Sequence, residues 1–285
     1  MRTPEEMLDL ILGVAKEDER ISAVTMGGSR ANKDCPVDIF QDFDIVFFVK
    51  DVAPFWDNEE WIAEKFGKPA LLHKPDSMEL IPPENDGNYF YLMIFPDGNR
   101  IDLQFTSWPY DDDGEPMILL LDKDGTFPKI QIAEDFWYIK RPTAKYFADC
   151  CNEAHWCLNN VAKGIAREEA AYVMMMLGFV RDMLIRMLEW YAGMNHNFRI
   201  STGKCGKYFK KYLPKDIYER FLKTYPTADT EAMWAAAFEI LYLFGDVARE
   251  VAAKLEFTYN AAEEKGIEDY MKQVRYGELK YKGGK

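Results

Sequence analysis

The stretch Gly27-Gly28-Ser29-Arg30-Ala31-Asn32, followed by Asp42-Phe43-Asp44-Ile45-Val46-Phe47-Phe48-Val49, decides the reading of this chain. The run Ile21 to Met26 ahead of it reads as a short strand. Two glycines and a serine directly after a strand let the backbone approach a ligand closely. Their amides and the Ser29 hydroxyl can donate to phosphate oxygens, and Arg30 adds charge-assisted donors. Asp42 to Val49 reads as a second strand, apolar on both faces past its first residues and so central in a sheet. Asp42 and Asp44 stand two apart on it, which sends both carboxylates to one side. Carboxylates so placed repel unless a cation neutralises them, and an all-oxygen donor set suits Mg²⁺.

Outward from this stretch, Thr3-Pro4-Glu5-Glu6 carries the cap, N1 proline and capping-box acid of a helix start. Asp57 and Glu60 repeat the capping-box pattern before a short helix that Gly67 ends. Tyr89 to Phe95 and Arg100 to Thr106 are strand patterns joined by Pro96-Asp97-Gly98-Asn99, which predicts an antiparallel hairpin. In its second strand Ile101, Leu103 and Phe105 alternate with Arg100, Asp102 and Gln104. Asp102 therefore emerges on a polar face, where it can join the first two acids. Met117 to Leu121 is one further strand. A hairpin makes the sheet mixed, which argues against a plain dinucleotide-binding βαβ array.

Past Arg141-Pro142 the periodicity is helical, over about 143–163, 168–192, 214–224, 229–256 and 264–275, with Gly164 and Gly193 as stops. The methionines at 174, 175, 176, 183 and 187 read as bundle core. The expected architecture is a mixed-sheet α/β domain over 1–140 followed by an all-α helical bundle over 141–285, with a cleft between them.

Composition narrows the function classes. The 285 residues are 48% hydrophobic, 15% aromatic and 29% charged, which describes a foldable globular chain. The formal charge of −13 suits cationic partners and disfavours nucleic acid. Five cysteines without a CxxC pair point to a reducing, cytoplasmic setting. Cys150, Cys151 and Cys157 read as buried thiols of one helix. No apolar run reaches the ~20 residues of a bilayer span, so no membrane partner is expected, and the chain is read as a monomer or weak homodimer.

Other chemistries fit less well. Gly27-Gly28-Ser29-Arg30-Ala31 resembles a nucleophile elbow, but only His73, His155 and His196 could serve as base, and the second half is helical. Gly203-Lys204 lacks the earlier glycine of a P-loop. No His/Cys cluster has zinc spacing. A degenerate, purely nucleotide-binding relative would be expected to have lost one of the three acids, and all three are present.

Gly28-Ser29, a gap of twelve residues, Asp42-x-Asp44 and a third acid on a later strand resemble the DNA polymerase β-like nucleotidyltransferase superfamily. The strings GGSRAN, FQDFDIVFFV, IDLQF, IKRP, DCCNE and TGK resemble the streptomycin (aminoglycoside) 6-adenylyltransferases, in the same order from residue 1 to about 260. The resemblance implies a Mg²⁺-dependent enzyme that moves AMP from ATP to a streptomycin hydroxyl and releases pyrophosphate, inactivating the antibiotic. It implies Asp42 and Asp44 as metal ligands. Asp102 would be the third carboxylate, as metal ligand, as base on the attacking hydroxyl, or as both. It gives Gly28, Ser29 and Arg30 to the triphosphate, Lys204 to the phosphates from the helical domain, and Glu153, within DCCNE, to the cationic acceptor. Gly27 stands where related enzymes often carry Glu. The segment Gln104 to Pro109, with Trp108, departs from the resistance enzymes, which leaves another aminoglycoside, a different hydroxyl metabolite or a protein open as the acceptor.

Overall fold

The computed structural model describes residues 1–33, 35–83, 87–107, 114–130, 133 and 135–279. Trp108 and Pro109 lie outside the described residues. The chain divides into two compact units, Met1–Phe136 and Trp137–Lys285.

The first unit is built on one six-stranded sheet in the order β3-β4-β5-β2-β1-β6. The strands are β1 (Ile21–Met26), β2 (Phe43–Val49), β3 (Leu71–His73), β4 (Tyr89–Ile94), β5 (Arg100–Ser107) and β6 (Ile118–Asp122). Among the described residues only β2 and β5 pair in parallel; the other four pairings are antiparallel. The sheet is thus mixed, as the β4–β5 hairpin requires. In that hairpin turn Phe95 N–H donates to the Asn99 carbonyl at 2.9 Å, and Gly98 takes the positive φ the turn demands.

Among the described residues three α-helices accompany the sheet: α1 (Pro4–Glu17), α2 (Gly28–Ala31) and α3 (Glu59–Phe66). The capping box at Thr3 and Glu6 is formed in both directions. The second expected capping box is not. Asn58 caps α3 by accepting from Trp61 N–H, while Asp57 adopts a positive φ and pairs with Lys74. A longer-range ion pair thus captured the acid that local spacing had nominated. Strand β3, Leu71-Leu72-His73, is only three residues long, too short for alternation to mark it in the sequence.

Strand alternation separates the two sheet faces. Phe43, Ile45 and Phe47 of β2 and Ile101, Leu103 and Phe105 of β5 are buried in one core with Met7, Ile11 and Ile62 of the helices. Aromatic packing dominates it: the Phe55 and Phe105 rings stack at 4.4 Å, with Trp61 edge-on to both. Each such ring contributes on the order of 1.5–3 kcal/mol by leaving water. The intervening residues, among them Asp44, Val46, Asp102, Gln104, Phe90 and Leu92, are only half-buried on the other face. The helix-covered core therefore fixes which side the acids occupy.

The second unit is helical: α4 (Ala144–Ala166), α5 (Ala170–Asn195), α6 (Phe209–Tyr212), α7 (Lys215–Leu222), α8 (Thr230–Leu255) and α9 (Ala261–Arg275). Cys150, Cys151 and Cys157 are buried on α4, and desolvation pushes the Cys150 thiol up to about 12, so it packs as a neutral side chain. Gly164 and Gly193 do not stop their helices. Each lies inside one because its surface is covered: an added Cβ would meet Val173 at 2.8 Å and the Phe198 ring at 2.8 Å, respectively. Of the methionine stripe, Met176 and Met187 are core, whereas Met174 and Met175 are exposed. Among the described residues no helix is long and apolar enough to cross a membrane.

Candidate active site

The site begins where β1 ends. Gly27 N–H donates to the Asp44 carbonyl at 2.8 Å, which ties the glycine turn to β2. Gly28 then takes φ +62°, and a Cβ there would stand 1.9 Å from Asp44 Oδ2. Only glycine leaves that carboxylate its place. Ser29 lies within the short α2, and its carbonyl accepts from Gln41 Nε2 at 3.2 Å.

Asp44 and Asp102 are direct neighbours in the parallel β2–β5 register. Asp42 precedes the first paired residue of β2, so the strand begins one residue later than the sequence suggests. The three carboxylates nonetheless converge, offering oxygens all within 4.8 Å of one another. Burial pushes the Asp44 carboxyl up to about 6, with further upward pressure from Asp42 and Asp102. Glu115 adds to the same repulsion.

Two arginines serve this cluster differently. Arg30 Nε donates to the Asp42 carbonyl and Nη2 to the Gln41 carbonyl, both at 2.9 Å, with the guanidinium 3.8 Å above the Phe43 ring. It holds the chain entering β2. Arg100 forks onto Asp102, with Nε at 2.7 Å from Oδ1, and reaches Asp42 Oδ2 at 3.4 Å. The sequence reading did not assign Arg100 a role, although the Arg100-x-Asp102 spacing on an alternating strand places both on one face. The Asp44 carboxylate accepts no hydrogen bond from the described residues. An orphaned, partly desolvated carboxylate flanked by two more is an all-oxygen donor set that fits a hard divalent cation. The site residues therefore fit Mg²⁺.

The carboxylates border a cavity of about 250 Å³ whose wall includes Thr25, Gly28, Asp44, Asp102, Gln104 and Glu115. Lys204 and Glu153 belong to the second unit. Lys204 opens a tight turn, Lys204–Gly206, and is exposed with no ion pair among the described residues. The turn is kept tight by Gly203 and Gly206, both at positive φ. Glu153 is exposed on α4 and accepts from the Cys157 thiol at 3.2 Å.

Comparison with known proteins gives the family. The chain is 38% identical to an aminoglycoside 6-adenylyltransferase of Campylobacter jejuni, over 97% of this chain and 98% of that protein. It is 38% identical to one of Bacillus subtilis (strain 168), over 96% and 98%. A crystal structure of an aminoglycoside 6-adenyltransferase from Bacillus subtilis matches with 34% identity and a TM-score of 0.48, covering 96% of this chain and 99% of that one. The family model described as streptomycin adenylyltransferase matches residues 1–274, so the chain belongs to the streptomycin adenylyltransferase family, whose members are nucleotidyltransferase enzymes.

Proposed function

We propose that this protein transfers AMP from ATP to a hydroxyl of an aminoglycoside, the 6-hydroxyl of streptomycin, with release of pyrophosphate. The observation that carries the reading is the convergence of Asp42, Asp44 and Asp102 beside a glycine that admits them. Nucleotidyl transfer requires in-line attack of the acceptor oxygen on the α-phosphorus. Bound Mg²⁺ supplies charge neutralisation at the attacking and leaving oxygens.

The remaining work falls to this chain's own groups. Asp42 and Asp44 hold the cation site, with Asp102. Asp102 also takes the proton from the attacking hydroxyl. The Gly28 and Ser29 amides and the Ser29 hydroxyl, which bonds to no other described residue, receive phosphate oxygens. Arg30 fixes the entry of β2 against them and places its charge beside the triphosphate. In this proposal residues 1–140 bind the metal and ATP, and residues 141–285 complete ATP and acceptor binding through Lys204 and Glu153. The family model spans residues of both units, which supports giving each a part in the reaction. The net charge of −13 suits a polycationic acceptor.

The test incubates the protein with ATP, Mg²⁺ and a panel of aminoglycosides. Mass spectrometry should find AMP added to streptomycin and pyrophosphate released. Transfer to other aminoglycosides alone would change the acceptor and leave the chemistry standing. ATP consumption without any aminoglycoside product would overturn the reading.

A further inference from the structure

Helix α9 packs against α4 and α8, but much of what ties it to them is charge. Of its side chains Met271 is fully buried, with Ile267, Tyr270 and Val274 partly covered. Polar ties flank that narrow apolar seam. Glu264 pairs with Arg249 of α8, and Arg275 with Glu231 at 2.6 Å. The Tyr242 hydroxyl donates to Glu268 at 2.9 Å, and Asn152 Nδ2 of α4 donates to Glu263 at 3.4 Å. Ties of this kind, open to solvent, are weak singly and are screened by salt. A helix held in this way belongs to the low-stability end of a fold.

Against the first turn of α9 sits His155 of α4, 5% exposed. Its Nδ1 has no hydrogen-bond partner among the described residues, and Glu263 Oε2 stands 3.7 Å away, beyond hydrogen-bond reach. Its Nε2 is 3.5 Å from the Tyr259 hydroxyl, which donates to Glu264 at 3.1 Å. The titratable and charged groups around the ring are Cys151 one turn back on α4, Tyr259 ahead of α9, Glu263 and Glu264 of α9, and Arg249 of α8 through its pair with Glu264. Burial pushes the imidazole below its ordinary value, against Glu263 and Glu264, which pull it up. The docked helix therefore disfavours the imidazolium, and lifting α9 returns the ring to water. Docking is at full strength above the ordinary histidine value of about 6.5 and weakens as pH falls through it. We infer that α9 is a releasable strap over α4, held by charges along its length and freed when His155 takes a proton, and that its release uncovers the Cys151 thiol. Cys151 lies one turn from His155 on the same side of α4 and is 4% exposed. Cys150 faces α5 instead, its thiol donating to the Met183 carbonyl at 3.5 Å, and stays covered when α9 lifts.

Dithiodipyridine labelling of the full chain tests it, with each cysteine followed by peptide mass spectrometry and its rate expressed relative to exposed Cys205. The Cys151 ratio should rise on the order of tenfold between pH 8 and pH 5. It should rise several-fold at pH 8 when salt is raised to about 1 M. The Cys150 ratio should stay low throughout. His155→Phe keeps a ring in the site without a titrating nitrogen, so it should abolish the acid response and keep the salt response. Arg249→Gln unpairs Glu264 without altering His155 and should raise the Cys151 ratio at pH 8 and low salt. A Cys151 ratio that ignores both acid and salt would overturn the strap. Cys150 and Cys151 rising together would overturn it too, because that marks opening of the whole helical unit. An undiminished acid response in His155→Phe would take the trigger away from His155 and overturn the inference.

Discussion

Gly28 and Asp44 are packed so closely that a single methyl group on residue 28 would occupy the place of the Asp44 carboxylate, at 1.9 Å from Oδ2. The glycine turn is thus a mould for an acid as well as a cradle for phosphate. Gly28→Ala should cost about 1–2 kcal/mol through its left-handed backbone and displace Asp44. Turnover should fall on the order of a hundredfold, more than the stability change alone would produce. Turnover within a fewfold of wild type would show that Asp44 need not hold its present position.

Asp44→Asn should abolish most turnover, on the order of a thousandfold, while the metal-free protein becomes more heat-stable at pH 8. The substitution removes a carboxylate that burial and two like charges disfavour. Asp42→Asn should lose activity similarly. Parallel melting and rate measurements separate the two effects. A destabilised, still active Asp44→Asn protein would contradict the assignment.

The raised Asp44 pKa sets a pH window. The folded state holds this proton up to about pH 6, whereas an unfolded carboxyl loses it near pH 4. Folded protein therefore binds more protons across that interval, and metal-free stability should fall as pH rises from about 4 to about 6. Mg²⁺ must displace the proton, so its stabilising effect should be large at pH 8 and small at pH 5. Thermal melts at both values, with and without 10-fold-varied Mg²⁺, check the sign. An equal Mg²⁺ effect at the two pH values would exclude Asp44 as a ligand.

Arg100 is the cation now shared between Asp102 and Asp42. Arg100→Gln should lower metal-free stability at pH 8 and enlarge the stabilisation given by Mg²⁺, because the acids lose their only ion-pair partner among the described residues. Isothermal titration with Mg²⁺ should show tighter binding in the variant. Weaker binding would mean that Arg100 organises the carboxylates and does not compete for them.

Lys204→Ala should raise KM for ATP more than KM for streptomycin, since an exposed lysine with no ion pair among the described residues is suited to a polyanion. The reverse split would move Lys204 to the acceptor side.

Most of the first unit was legible because its signals are local. Alternation in β5 and the turn between β4 and β5 depend on neighbours a few residues apart, and Gly28 announced a close approach before the approaching group was known. What was missed depends on partners distant in sequence. Asn58 caps α3 because Lys74 holds Asp57, and Gly164 and Gly193 meet side chains where local rules suggested helix ends. Arg30 looked like a free phosphate donor, yet two of its nitrogens hold main-chain carbonyls and its plane rests on Phe43. No spacing rule reveals that a side chain is engaged by the backbone it helps to place.

The parallel pairing of β2 with β5 has a consequence for how the molecule folds. Asp44 and Asp102 become neighbours only through a contact between segments far apart in the chain, and such contacts are slow to form. The pair also sets like charges side by side, which weakens the pairing it belongs to. Closure of β2 on β5 is therefore the step of assembly with the most to lose from electrostatic repulsion, while the helix-covered aromatic core on the opposite face supplies the drive. Refolding of this unit should accordingly quicken at low pH or with divalent cations present, through the rate at which these two strands zip together.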